Sequence, residues 1–170
     1  YNSQVNTIKK IYNSGILGEI KHVNMSRQNF GPKRFDVDAK MDLATHDISI
    51  LFYLFNKQLE EIHWIDYNRD PNDKQNDSAL GFLTFSNFKA IINVSWHHSK
   101  KDRMCFFDFE NGYIEWDDTR KSLNIETESG IITYEENSES PLQKSILSYL
   151  TNNDYKYQED LTIKTIGAVQ

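Results

Sequence analysis

Apolar residues recur at helical spacing in two stretches of the first third of the chain. The first stretch predicts a helix over residues 3–14, and Gly15 follows it where a left-handed C-terminal cap belongs. The second predicts a helix over residues 42–54, with Asn56 as its terminator. Two more helices are predicted near the end of the chain, over residues 141–152 and 158–169.

Alternating apolar and polar residues, the pattern typical of strands, occupy most of the remaining chain. The alternation is loose at first and becomes regular from residue 61 onward. Asn111 and Gly112 form the strongest hairpin signal, since both turn positions favour positive φ. The predicted strands are residues 19–30, 61–68, 78–85, 89–97, 102–109, 113–118, 122–128 and 131–136.

The order of these elements indicates the fold class. Strands at hairpin spacing form a mainly antiparallel sheet, and helices before, within and after them make the class α+β. A chain of 170 residues without a low-complexity linker is expected to be one domain, residues 1–170. Three tryptophans would suit either an oligomer interface or the core between sheet and helices. They are Trp64, Trp96 and Trp116.

Composition narrows the range of partners. The formal charge is -6, with acids and bases spread along the chain, whereas nucleic-acid binding would need a clustered basic surface. No apolar run reaches the length of a membrane helix. The single cysteine, Cys105, fits a reducing compartment and therefore the cytoplasm. We expect neither a nucleic-acid nor a membrane partner.

The sequence carries no motif for a cofactor or a metal. Its glycines form neither G-x-G-x-x-G nor a Walker loop, so we expect no cofactor-binding residue in this chain. His97 and His98 are neighbours on a strand and point to opposite faces, which argues against a shared metal. The first residue is Tyr1 rather than Met, so we expect the chain to begin inside a longer reading frame.

Asp42 and His46 are the first candidates for chemistry. Residues four apart share one helix face, so a carboxylate and an imidazole can work side by side. Imidazole titrates near neutral pH, which suits it to moving protons to and from a hydroxyl. Asp42 could instead cap the helix, with His46 as an ordinary, partly buried side chain. The spacing alone leaves both interpretations open.

A small basic cluster is the second candidate. Lys100, Lys101 and Arg103 follow Trp96 closely and could hold a phosphate or a carboxylate. The alternative is a solvated strand end.

The order of the segments resembles the C-terminal half of the glucose-fructose oxidoreductase / inositol dehydrogenase (Gfo/Idh/MocA) family. Residues 41–55, MDLATHDISILFYLF, are similar to that family's D-x-x-x-H-D-I-D-x-L-x-Y-L segment, which is fairly specific. Weaker similarities lie in residues 1–32, in 94–103 (VSWHHSKKDR) and in 141–150 (PLQKSILSYL). The resemblance covers nearly the whole chain.

This resemblance implies a large open antiparallel sheet with helices packed on one face, as in the C-terminal domain of dihydrodipicolinate reductase. The sheet would bind substrate and mediate homo-oligomer contacts. A separate N-terminal Rossmann domain, absent from this chain, would bind NAD or NADP. The implied reaction is hydride transfer to or from a hydroxyl carbon of a sugar, amino sugar or cyclitol.

The resemblance also implies roles for particular residues. His46 would be the general acid/base, Asp42 would orient or tune it, and Asp47 would be structural. We expect the substrate to contact Arg27, Asn29, Lys33 and Lys101, and we expect the chain alone to be inactive.

Two other functions remain open at this point. One is a non-catalytic sugar-binding or dimerisation module that keeps the fold. The other is a hydrolase or lyase that uses the Asp/His pair.

Overall fold

The computed structural model describes residues 2–127, 130–135 and 155–169. Among them are three α-helices: Ser3–Ser14 (α1), Thr45–Phe55 (α2) and Tyr155–Val169 (α3). A π-helical turn, Lys40–Ala44, leads directly into α2. The strands are Ile20–Phe30 (β1), Leu59–Tyr67 (β2), Ser78–Phe85 (β3), Lys89–Ser95 (β4), His97–Phe109 (β5), Gly112–Asp117 (β6), Ser122–Thr127 (β7) and Gly130–Glu135 (β8).

The strands form one open, eight-stranded sheet in the order β2-β3-β4-β1-β5-β6-β7-β8. Strand β1 lies in the interior, parallel to β4 and antiparallel to β5. The other neighbouring strands of the described sheet are antiparallel. The structure therefore confirms the α+β class and the open, mainly antiparallel sheet.

One face of the sheet packs against the helices. On β1, Val23 and Met25 are fully buried among helix residues, while Asn24 between them is exposed on the other face. Apolar residues of α1, α2 and α3 belong to the same buried cluster. This arrangement confirms that the helices pack on one face of the sheet.

The tryptophans lie mainly in the core. Trp96 and Trp116 are buried, and Trp64 packs against the core cluster. Of the two alternatives that the sequence left open, the structure favours the core. The opposite sheet face still exposes Ile65 and Phe82 on neighbouring strands.

The predicted caps are confirmed. Gly15 has φ 69° and its amide donates to the Tyr12 carbonyl, and Asn56 has φ 47° and donates to Phe52 O. Both residues are left-handed, the conformation that ends a helix by satisfying a free carbonyl.

The predicted break between β4 and β5 was wrong. The strand predicted over residues 89–97 ends at Ser95, and β5 begins at His97 rather than at residue 102. Residues 97–101 are all polar, so the apolar/polar alternation does not reveal the start of β5. His97 nevertheless pairs with Phe30 of β1. The predicted helix over 141–152 lies outside the described residues.

A glycine on β3 makes room for a tryptophan. Gly81 faces Trp64 across β2 and β3, and a Cβ on Gly81 would overlap the indole ring. We expect Gly81→Ala to lower the free energy of unfolding by about 1–3 kcal/mol, since the ring or the backbone must shift. Urea unfolding measures this change. Gly167→Ala in α3 is the control, because a Cβ there meets no atom within 4 Å.

The control should raise the free energy of unfolding by about 0.5–1 kcal/mol, as expected for glycine to alanine in a helix. Equal changes at the two glycines would contradict the packing argument.

Candidate functional site

The site lies where the π-helical turn enters α2. A π turn is wider than an α turn, and such turns occur frequently at functional sites. Asp42 lies within the turn, and His46 and Asp47 lie in the first turn of α2. The helix start is held by Asp38, whose Oδ1 accepts a hydrogen bond from Met41 N at 2.8 Å. Asp38 therefore takes the capping role that the sequence left open for Asp42.

The Asp42 carboxylate is held at both oxygens. Trp96 Nε1 donates to Oδ2 at 3.0 Å, and Arg34 Nη1 donates to Oδ1 at 3.1 Å. Trp96 is buried, whereas the Arg34 side chain is half exposed. Two donors from different segments fix the plane of the carboxylate. No hydrogen bond joins Asp42 to His46 within the described residues.

The His46 imidazole has no hydrogen-bond partner among the described residues. The residue is exposed. Its pKa is nevertheless lowered, first by desolvation from the surrounding protein and then by the Arg27 guanidinium. Asp47 and Asp42 oppose this shift, and Arg103 adds to it. The neutral imidazole is therefore the favoured form.

Arg27 and Asp47 form a buried ion pair beside His46. Arg27 Nη2 and Nε donate to Asp47 Oδ1 at 2.7 and 2.9 Å. Asp47 is 1% and Arg27 7% exposed. Burial raises the pKa of the Asp47 carboxyl, although the charge and hydrogen bonds of Arg27 act to lower it. Asp47 Oδ2 is buried without a hydrogen-bond partner among the described residues. The pair ties α2 to β1.

The other predicted substrate contacts have different environments. Asn29 lies on β1 two positions beyond Arg27 and is partly buried. Lys101 is exposed on β5, and no ion pair engages it in the described ranges. Lys33 Nζ lies 2.6 Å from Asp73 Oδ2 and 2.7 Å from Asp77 Oδ1.

The structure therefore places Asp42, His46 and Arg27 together and Lys33 in a separate ion-pair cluster. Sequence reasoning missed Arg34 and Trp96 as partners of Asp42. A signal for Trp96 existed, since it lies in the segment VSWHHSKKDR that carries part of the family resemblance. Arg34 has no comparable signal.

The described residues contain neither a metal-binding cluster nor a membrane-spanning helix. None of their histidine, cysteine, aspartate and glutamate clusters has the three members that could hold a metal ion. No helix among them is both long enough and apolar enough to span a membrane.

The loop next to the site does not form a cradle for a dinucleotide at its glycine. Gly31 is the glycine of the adjoining loop, and the Asn29 amide fills the space where its Cβ would be. A diphosphate cradle needs several backbone amides open to the ligand. Gly31 N already donates to Trp96 O at 3.4 Å, so this loop glycine does not fit the diphosphate of a nicotinamide cofactor.

An open, mainly antiparallel sheet with helices packed on one face defines the class of the fold as α+β. Residues 5–115 match the GFO/IDH/MocA C-terminal domain. The chain belongs to this family. A comparison with curated proteins gave no match.

Solved structures with the same fold come from several bacteria. UDP-N-acetylglucosamine 3-dehydrogenase GnnA from Acidithiobacillus ferrooxidans is 16% identical with a TM-score of 0.80, over 94% of this chain and 54% of that one. The 3-ketoreductase KijD10 from Actinomadura kijaniata, in complex with TDP-benzene and NADP, is 15% identical with a TM-score of 0.83, over 99% and 56%.

An inositol dehydrogenase homolog from Azotobacter vinelandii, solved with NADH and myo-inositol, is 14% identical with a TM-score of 0.68, over 81% of this chain and 41% of that one. The chain thus spans about half the length of these proteins. At these identities the likeness shows the shared fold.

Proposed function

We propose that residues 1–170 form the substrate-binding domain of an NAD(P)-dependent oxidoreductase that acts on a hydroxyl carbon of a sugar, amino sugar or cyclitol. The observation that carries the proposal is the exposed His46 imidazole, unbonded within the described residues, whose pKa lies below its ordinary value. The names and ligands of the similar proteins, which include a nucleotide-sugar dehydrogenase and a complex with myo-inositol, support the substrate class.

In this proposal His46 is the general base for oxidation and the general acid for reduction. A neutral imidazole within hydrogen-bond reach of a hydroxyl takes its proton as the carbon is oxidised. A nicotinamide cofactor, bound outside this chain in the whole protein, would exchange the hydride. Asp42 and Asp47 favour the imidazolium, and Arg27 and Arg103 disfavour it. These opposing charges keep the imidazole able to both accept and release a proton.

The proposal also assigns roles to the other expected substrate contacts, to the exposed sheet face and to the cysteine. Asn29 and Lys101 are open to a substrate and would hydrogen-bond its hydroxyls. Arg27 would act through its ion pair with Asp47 rather than by touching the substrate, since it is almost fully buried. The sheet face opposite the helices, which exposes Ile65 and Phe82, would join two copies of the protein. The buried thiol of Cys105 fits a cytoplasmic protein.

The pH dependence of oxidation tests the role of His46. The base must be neutral, so kcat/KM rises with pH through the pKa of His46. Because that pKa is lowered, the rising limb should have its midpoint below pH ~6.5, the ordinary value for histidine. We expect Arg103→Met to move the midpoint to higher pH, because it removes a positive charge that lowers this pKa.

The measurement is initial-rate kinetics of the full-length protein with NAD or NADP and a panel of sugars and cyclitols. Lys121→Met is the matched control. Lys121 pairs with Asp118 at 2.6 Å, as Arg103 does at 3.5 Å, and it is not among the groups that shift His46. A limb that does not respond to Arg103→Met would show that another group titrates. A protein without cofactor-dependent turnover on any member of the panel would favour a binding module.

A further inference from the structure

Asp77 lies outside the site yet joins the two segments that hold Asp42. Its carboxylate contacts the loop that carries Arg34, and its backbone carbonyl contacts Trp96. We infer that Asp77 is a positioning residue that fixes the orientation of the Asp42 carboxylate. The inference rests on the proposed function, in which Asp42 acts beside His46.

The first connection runs through the loop that joins β1 to the π-helical turn. Lys33 Nζ lies 2.7 Å from Asp77 Oδ1, and Gln75 Nε2 donates to Phe35 O at 2.6 Å. Lys33 and Phe35 are the chain neighbours of Arg34. Anchors on both sides therefore hold the backbone of Arg34, from which its guanidinium reaches Asp42.

The second connection runs through Trp96. Trp96 N donates to Asp77 O at 3.0 Å, and the indole Nε1 of the same residue donates to Asp42 Oδ2. Asp77 N donates in turn to Tyr67 O at 3.0 Å. The backbone at Asp77 thus ties Trp96 to the end of β2.

The Asp77 side chain holds this junction together by its charge. Asp77 is 1% exposed, Arg69 N donates to its Oδ2 at 3.0 Å, and His97 Nε2 lies 3.5 Å from its Oδ1. A buried carboxylate persists only with partners of opposite charge or with hydrogen-bond donors. Removing the charge deprives Lys33 of its buried partner and releases the loop.

The indole N–H resonances of the full-length protein test this inference independently of activity. Each tryptophan has its own acceptor: Asp42 for Trp96, Gln4 Oε1 for Trp116 and Ala168 O for Trp64. In Asp77→Asn we expect only the Trp96 resonance to move, towards its position in Asp42→Ala, which removes the acceptor. Tryptophan-to-phenylalanine variants assign the three signals.

Asp73→Asn is the matched control. Asp73 also contacts Lys33, at 2.6 Å, but its side chain is 45% exposed. This variant should leave the Trp96 resonance in place. Lys33→Met breaks the same connection from the other side and should reproduce the shift, which keeps the test available should Asp77→Asn fail to fold.

Turnover provides the second measurement. Misplacing a group that acts at the reacting centre costs rate, so Asp77→Asn should lower kcat on the order of tenfold, while Asp73→Asn stays within about twofold. A Trp96 resonance that stays in place, three resonances that move together, or an unchanged kcat would each overturn the inference. An unchanged rate in a His46 variant would instead contradict the proposed function, which separates the two failures.

Discussion

Replacing His46 with alanine in the full-length protein should lower kcat for the proposed oxidation by about a hundredfold or more. General acid/base catalysis contributes factors of ~10²–10⁴, and the exposed imidazole of His46 is the base in the proposed mechanism. The fold should survive the change, because no hydrogen bond to the ring is lost within the described residues. Steady-state kinetics, with the melting temperature as a check on folding, measures the effect.

His63→Ala is the control for this experiment. His63 is also exposed, but it lies on edge strand β2, on the sheet face opposite the helices. It should retain the parent kcat. If His46→Ala and His63→Ala turned over equally fast, His46 would have no part in the chemistry.

Arg27→Met should lower the free energy of unfolding by about 3–5 kcal/mol, the cost of leaving one partner of a buried ion pair alone. The Asp47 carboxylate, 1% exposed, would lose both of its hydrogen bonds from Arg27. Urea unfolding of the protein, followed by tryptophan fluorescence, measures the change.

A second substitution separates charge burial from lost packing. Asp47→Leu in the Arg27→Met background removes the unpaired buried carboxylate. It should recover most of the lost free energy of unfolding, as replacing buried ion pairs with apolar residues does. Lys21→Met is the surface control. Lys21 and Glu110 are also 2.7 Å apart, but their side chains are 48% and 49% exposed. It should cost much less than Arg27→Met, because solvent screens an exposed pair. Equal losses at Arg27 and Lys21 would contradict the burial argument.

Local patterns predicted local structure well. Helix α1 with Gly15, the end of α2 at Asn56, and most strands followed from spacings that reach only a few residues along the chain. The strand order did not follow in this way. That β1 lies between β4 and β5 depends on pairs such as Ile20 with Phe109, and no short-range pattern carries such a pairing.

The candidate site also has a part that short-range spacing predicts and a part that depends on contacts between distant segments. Asp42 and His46 were found because they lie four residues apart in a stretch whose pattern predicts one helix. The hydrogen bond from Trp96 to Asp42 and the contact from Lys33 to Asp77 join distant segments. Lys33 illustrates the difficulty: the sequence offers it only as an expected substrate contact, and tertiary structure alone brings Asp73 and Asp77 to its ammonium group.

The interior position of β1 has a consequence for how the chain folds. Strand β1 is synthesised before the other strands of the described sheet, yet both of its neighbours lie far downstream, at Lys89–Ser95 and His97–Phe109. Until those residues emerge, β1 has two unpaired edges, which are sites for pairing with other chains. Contacts between distant residues also slow folding, because a long loop must close before any pairing is gained. Newly made chains of this domain are therefore most exposed to aggregation before β5 is complete.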